Sequence, residues 1–180
     1  MHGLIYDTVY ALATSEVCVL ILAGYMSGKK YNDKGGGSDT ICLPEHPTWS
    51  NYSDGRTNII ARVVGTEFDQ EDGLFPYPVQ NQDLPCAVCL ARKNAKIMIS
   101  GRNDCFEGWT REYHGYLAAE YHAHPSPTKH ICVDFEPHFL PKGSAKDDEH
   151  VLYHVEVLCG SLPCPPYVNG RELACVVCTI

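Results

Sequence analysis

The sequence predicts a mostly β, disulfide-rich protein built from two tandem pseudo-repeat units of short strands with long loops. Three observations predict this class. Ten cysteines in 180 residues are an even number at a density typical of a disulfide framework. Short segments rich in β-branched and aromatic residues alternate with Gly, Pro, Asn and Asp. The cysteines also recur in the same order in the second half of the chain.

The predicted strands show no apolar repeat at helical spacing over more than two turns. They are "VLILAGYM", "ARVVGTEF", "CAVCLA", "AKIMIS", "VLYHVEVLC" and "LACVVC". Polar stretches such as "NDKGGGSD", "DQEDG" and "PKGSAKDD" predict loops between them. The longest apolar stretch, residues 17–26, is about half of the ~20 residues that span a bilayer. We therefore expect a buried strand there and no membrane insertion.

The charge of the chain excludes two classes of partner. Its formal net charge is −8, and it has no basic run longer than Lys29-Lys30. Nucleic acids and anionic membranes attract basic surfaces, so neither is expected as a partner. An acidic surface suits cations instead.

The repeat emerges when the two C-x-x-C motifs, which begin at Cys86 and Cys175, are aligned. "AGYMSGKKYND" then falls on "HGYLAAEYHAH", "ICLPEHP" falls on "ICVDFEP", and Glu67 falls on Glu156. A long period seen twice predicts a tandem duplication rather than a solenoid. We expect a first unit over residues 1–92 and a second over 93–180, packed as one compact domain.

The C-x-x-C motifs themselves admit three interpretations. A zinc site is disfavoured because the two pairs lie far apart in sequence, and a thioredoxin-like centre is disfavoured because both motifs are strand-like. In a strand, residues i and i+3 face opposite ways and lie ~10 Å apart, so these cysteines should not bond each other. We expect each motif to bond upstream cysteines of its own unit.

Two orders of bonding stay open in each unit. Cys86 and Cys89 would bond Cys18 and Cys42, Cys175 and Cys178 would bond Cys105 and Cys132, and Cys159 and Cys164 would close a local loop. All ten cysteines are thus expected in disulfides, which predicts a secreted, extracellular protein.

Catalysis is not expected. His122 and His124 lie two residues apart, on one face of a predicted strand, and such a pair can bind a metal or act as acid and base. No nucleophile elbow, His-Glu-x-x-His helix or phosphate loop accompanies them. We predict that the protein is not an enzyme, and that the two histidines are structural or line a site.

Calcium is the ion that the carboxylates favour, since hard cations take several oxygen ligands from flexible loops. The candidates come from an extended segment, an acidic loop and the next strand of the second unit: Asp134, Glu136, Asp147, Asp148 and Glu156. A solvated acidic loop is the alternative. The first unit lacks these ligands, since Pro44 stands where the second unit has Asp134.

Asn51 begins the sequence Asn-Tyr-Ser, which predicts an N-glycosylation site in a loop of a secreted protein.

The chain resembles the cysteine-rich C-terminal region of sponge short-chain, spongin-like collagens over nearly its whole length. The resemblance is carried by "GYMSGKKYNDKGGGSDTICLPEHPTW", "LPCAVC", "GWTREYHGYLAAEYHAH", "ICVDFEP" and "LYHVEVLCGSLPCPPYVNGRELACVVC". The chain contains no Gly-X-Y run, so the collagen triple helix of the sponge proteins is not expected.

The same domain type is similar to a calcium-dependent, galactose-binding sea-anemone lectin. This resemblance implies a lectin that recognises terminal galactose-type glycans through calcium and is expected to form homo-oligomers. The sugar-binding candidates combine hydrogen-bonding side chains with aromatic rings: Glu120, His122, His124, Arg171, Tyr121, Tyr167 and Trp109. The alternative is a non-catalytic extracellular-matrix or assembly module of the short-chain collagen type.

Overall fold

The computed structural model describes residues 7–9, 18–35, 37, 39–51, 54, 61–70, 73–91, 93, 95–147 and 149–180. These residues contain eleven β strands and no helix. The strands are β1 (Asp7–Val9), β2 (Cys18–Gly28), β3 (Ile41–Pro44), β4 (Val64–Phe68), β5 (Gln82–Asp83), β6 (Pro85–Ala91), β7 (Lys96–Ser100), β8 (Thr110–Ala119), β9 (Ile131–Asp134), β10 (His150–His154) and β11 (Ala174–Thr179). The prediction of a mostly β, disulfide-rich chain is confirmed.

The strands hydrogen-bond in the order β1-β6-β2-β4-β10-β8-β11-β7, while β3, β5 and β9 pair with β2, β4 and β8. All of these pairs are antiparallel except β4 with β10, which run parallel at the middle of the order. Parallel neighbours cannot be joined by a tight hairpin, so β4 and β10 come from distant parts of the chain. This pair therefore joins strands from the two predicted units.

The pairing of β2 with β3 and β6 on one side of this central pair matches the pairing of β8 with β9 and β11 on the other side. Gly24 of β2 lies opposite Pro44 of β3 and Cys86 of β6. Gly115 of β8 likewise lies opposite β9 and β11, at Asp134 and Cys175. Each of the long strands also has one irregularity, at Ile21 in β2 and at Glu112 in β8.

Glycine is required at both of these register positions. A Cβ atom on Gly24 would lie 1.8 Å from the carbonyl oxygen of Leu43, and one on Gly115 would lie 1.8 Å from that of Val133. The short β3 and β9 strands thus approach β2 and β8 more closely than any side chain allows.

The main hydrophobic core draws on both predicted units. It contains Met26, Phe68, Phe75, Val79, Leu84, Cys86, Ala118, Ile131, Val133 and Leu152. Phe68 and Phe75 meet edge to face with centroids 5.3 Å apart, a favoured aromatic geometry. A smaller cluster of Tyr113, Leu117, Cys132 and Cys175 lies within the second unit.

Four disulfides are resolved, and they follow the predicted sets of partners. Cys42 bonds Cys86, Cys132 bonds Cys175, Cys105 bonds Cys178, and Cys159 bonds Cys164. Cys89 is also disulfide-bonded, whereas the side chain of Cys18 lies outside the described residues. No cysteine in the described part of the chain is free. The fold thus decides the order of bonding that the sequence leaves open, since the first cysteine of each C-x-x-C motif bonds the later of its two upstream candidates.

Three expectations about strands are wrong. His122 and His124, expected on one face of a strand, lie in a turn that follows the end of β8 at Ala119. The first part of β2 is not buried, since Val19, Leu20 and Ile21 are about half exposed. The strand expected over residues 151–159 ends at His154, and the backbone beyond it is held by isolated hydrogen bonds with Leu117, Leu173 and Arg171. None of the described residues forms a helix long and apolar enough to cross a membrane.

Candidate functional site

The segment between β8 and β9 holds the first group of candidate side chains. It is a turn that begins directly after β8 ends at Ala119. The backbone N–H of Glu120 donates to Thr128 Oγ1 at 3.0 Å, and that of His124 donates to the carbonyl oxygen of Tyr121 at 3.0 Å. These two bonds hold Glu120 and His124 on the same side of the turn.

Glu120 and His124 form a partly buried carboxyl–imidazole pair. Glu120 Oε1 lies 2.8 Å from His124 Nδ1, and the Glu120 side chain is only 2% exposed. The other carboxyl oxygen, Oε2, is buried without a hydrogen-bond partner among the described residues. Burial raises the pKa of Glu120 to about 8. Burial also lowers the pKa of His124, and the negative charge of Asp69 opposes that change.

Three tyrosine rings surround the imidazole of His124. Ring centroids lie 4.6 Å away for Tyr31, 5.1 Å for Tyr121 and 6.0 Å for Tyr153. Tyr121 also contacts His122, with centroids 4.3 Å apart. Tyr121 is 41% exposed, so part of an aromatic residue that contacts His124 faces solvent.

Asp69 lies beside Tyr153, one of these three tyrosines, because β4 and β10 pair in parallel. Phe68 lies opposite Leu152, so the next residues along the two strands, Asp69 and Tyr153, are also neighbours. The hydroxyl of Tyr153 donates to Asp69 Oδ2 at 2.6 Å, and Lys146 Nζ lies 3.9 Å from Asp69 Oδ1. We call the whole group the Tyr121 cluster, and it consists of Tyr31, Asp69, Glu120, Tyr121, His122, His124 and Tyr153.

Four of the predicted sugar-binding residues, Glu120, Tyr121, His122 and His124, therefore come together. Sequence reasoning missed Tyr31, Asp69 and Tyr153. Tyr31 lies in the segment that aligns with the histidine segment, which was a usable signal. Nothing in the sequence links Asp69 with Tyr153, because their proximity depends on a parallel strand pair of distant segments.

The other three predicted sugar-binding residues lie elsewhere. Trp109 precedes β8 and Glu120 follows it, so the ten-residue strand separates them by about 30 Å. The hydroxyl of Tyr167 lies near Gly101. Arg171 lies beside Val157, whose backbone N–H donates to the carbonyl oxygen of Arg171 at 3.0 Å. Trp109 and Tyr167 were expected at the site by proximity in sequence, which the extended strands do not preserve.

The predicted calcium ligands are divided between separate places. Asp134 Oδ1 accepts the backbone N–H of Glu136 at 2.9 Å, and both carboxylates act on Tyr77, whose pKa is raised first by burial and then by their charges. Glu156 forms an isolated backbone bridge with Glu172. Asp148 lies outside the described residues.

Asp147 belongs to a different acidic region. It lines a cavity of about 160 Å³ together with Glu67, Asp83 and Glu149. Burial and the charges of Asp147 and Glu149 raise the pKa of Asp83. Two of the cavity carboxylates are engaged with backbone, since Gly65 N–H donates to Glu149 Oε2 at 3.1 Å and Glu149 N–H donates to Glu67 Oε1 at 3.2 Å.

These positions do not fit the calcium site that the sequence predicts. Across the described ranges, no group of three or more His, Cys, Asp or Glu side chains is arranged to hold a metal ion. We therefore assign no described residue to calcium.

Comparison with known proteins identifies no relative. No family model, curated protein or solved structure matches the chain.

Proposed function

We propose that the protein is a secreted carbohydrate-binding protein, a lectin, that recognises terminal galactose-type glycans at the Tyr121 cluster. The observation that carries this proposal is the exposed ring of Tyr121 next to a carboxyl–imidazole pair and a second carboxylate. Small-molecule sites combine aromatic surface with a few convergent polar groups. A pyranose presents an apolar C–H face and a rim of hydroxyls, which match these two components.

The polar groups have complementary hydrogen-bonding roles. Because burial raises the pKa of Glu120 to about 8, this carboxyl is mostly protonated at pH 7 and can donate a hydrogen bond to His124 Nδ1. Asp69 supplies an acceptor and is oriented by the hydroxyl of Tyr153. A ligand hydroxyl can donate to Asp69, while the tyrosine hydroxyls can both donate and accept.

The proposal includes the organisation of the chain as a tandem duplication, with units at residues 1–92 and 93–180. It is supported by the matching registers of β2 with β3 and β6 and of β8 with β9 and β11. In this arrangement the Tyr121 cluster is composite. Tyr31 and Asp69 come from the first unit and the other five residues from the second.

Secretion is supported by the disulfides, which persist in oxidising compartments. Calcium dependence is proposed from the resemblance alone. The described carboxylates do not fit the predicted ion site, so no step of sugar recognition is assigned to the metal.

The proposal predicts that Tyr121→Ala lowers affinity for a terminal galactoside at least tenfold, because it removes the exposed aromatic face. Tyr167→Ala is the matched control, since this tyrosine is similarly exposed but lies outside the cluster. A glycan array followed by titration calorimetry measures both variants. Equal losses in the two variants would remove the cluster from the function, and the same array with a chelator tests the calcium dependence.

A matrix or assembly module is the second candidate. It is favoured by the exposed apolar side chains at the start of β2, where Leu20 is 55% exposed, since such surfaces mark association sites. Agglutination of cells that a free monosaccharide reverses supports the lectin. Self-association without any sugar binding supports the module.

A further inference from the structure

The Tyr121 cluster carries an acidic charge. The negative charge of Asp69 acts on His124, and it is the group that opposes the lowering of that imidazole's pKa. Among the described residues, Lys146 Nζ lies 3.9 Å from Asp69 Oδ1, and the Lys146 side chain is largely exposed to solvent. A screened lysine at this distance compensates the carboxylate only in part. The surroundings of the tyrosine rings therefore favour ligands without negative charge.

Glu120 reveals how poorly this region solvates an anion. Its side chain is almost fully buried, and burial alone raises its pKa to about 8. An anionic group that contacts the tyrosine rings would lose part of its hydration. It would also be repelled by Asp69 at short range. The net charge of −8 on the chain adds a weaker, long-range repulsion.

We propose that the Tyr121 cluster selects neutral galactosides and rejects galactosides that carry a sulfate or a carboxylate. This inference rests on the proposed function, since it names the class of glycan that the site accepts. The discrimination comes from an aromatic surface with a carboxylate at its edge, and it does not require any contact with the anionic group.

The direct test compares three ligands by titration calorimetry: a neutral galactoside, its 6-O-sulfate and its 3-O-sialyl derivative. We expect the neutral ligand to bind at least tenfold more tightly than either anionic ligand. Anionic ligands that bind as tightly as the neutral one would overturn the inference and leave the lectin in place. Failure of all three to bind would overturn the proposed function itself.

Two charge variants test whether the charge of Asp69 causes the preference for neutral over anionic galactosides. Asp69→Asn removes the negative charge but keeps an oxygen that accepts the Tyr153 hydroxyl, and it should shrink the ratio of neutral to sulfated affinity about threefold. Lys146→Gln removes the neighbouring cation and should enlarge that ratio. Asp104→Asn is the control, because this exposed aspartate pairs with Arg102 outside the cluster.

The two variants are expected to change the ratio in opposite directions. An unchanged ratio in both would overturn the inference, since charge at the cluster would then have no part in selection. Lys146 is exposed at the surface, so its variant keeps the test valid even where Asp69→Asn does not fold.

Discussion

At the scale of single residues, Glu120 has the clearest energetic consequence. Its pKa rises to about 8 in the folded protein from an ordinary value near 4.5 in the unfolded chain. The folded state therefore binds the extra proton between these two values. The stabilising contribution is fully present below pH 4.5 and is lost as the pH rises through 8.

Glu120→Gln should make the thermal midpoint less dependent on pH between 5 and 8, because glutamine stays neutral and its amide N–H can still donate to His124 Nδ1. Differential scanning calorimetry at several pH values measures this dependence. Glu107→Gln is the control, since Glu107 is exposed. A steep alkaline decline that persists unchanged in Glu120→Gln would contradict the burial argument.

His150 makes the stability of the folded protein depend on pH on the acid side. It is fully buried, and burial lowers its pKa to about 4. The unfolded chain then binds the extra proton between about pH 6.5 and 4. Stability from this residue is present above pH 6.5 and is lost as the pH falls through 4.

At the scale of elements, the disulfides differ in what they hold. Cys132–Cys175 joins buried residues of β9 and β11, whereas Cys159–Cys164 closes a short exposed loop outside the strands. The chain-entropy estimate gives about 4 kcal/mol for the longer loop and about 2 kcal/mol for the shorter one. A dissolved thiol also reaches the exposed bridge first.

Mild reduction of the native protein should therefore release two thiols, those of Cys159 and Cys164, while the fold is retained. Alkylation followed by mass spectrometry identifies the reduced pair. The double variant of Cys159→Ser and Cys164→Ser should lower the thermal midpoint less than the double variant of Cys132→Ala and Cys175→Ala. Early reduction of Cys132–Cys175 would show that exposure does not set the order.

Gly24 and Gly115, where β3 and β9 approach β2 and β8, determine how closely these strands can pair. Gly24→Ala and Gly115→Ala each place a Cβ atom against a backbone carbonyl that cannot move away cheaply, so each should cost about 3 kcal/mol. Denaturant unfolding measures the loss. Gly37→Ala is the matched control, because its Cβ atom would make only an ordinary contact at 3.7 Å. Similar losses at Gly24 and Gly115 would agree with the proposed duplication, and a neutral Gly115→Ala would contradict the close approach of β9.

At the scale of the whole molecule, the parallel pairing of β4 with β10 connects stability to the site. The pair continues the sheet from one predicted unit to the other, and the same alignment sets Asp69 beside Tyr153. Phe68 and Leu152 lie next to these residues and contribute to the shared core. The site is therefore supported by strands and not by loops alone.

Short sequence patterns were sufficient to predict several features of the structure. The alternation of segments rich in β-branched and aromatic residues with turn residues predicted a mostly β fold. Because residues i and i+3 of a strand face opposite ways, the strand-like C-x-x-C motifs predicted that each cysteine bonds a partner outside its own motif. The sequence also placed Glu120, Tyr121 and His124 within five residues of one another, but it predicted a strand there, and only the structure shows the turn that brings their side chains together.

Only the tertiary structure decided which distant residues meet. It chose Cys132 as the partner of Cys175, brought Tyr31, Asp69 and Tyr153 to the histidine turn, and separated Asp147 from Asp134 and Glu136. The physical reason is that strand pairing and register set long-range proximity, and these depend on how both faces of the sheet are buried rather than on any short stretch of residues.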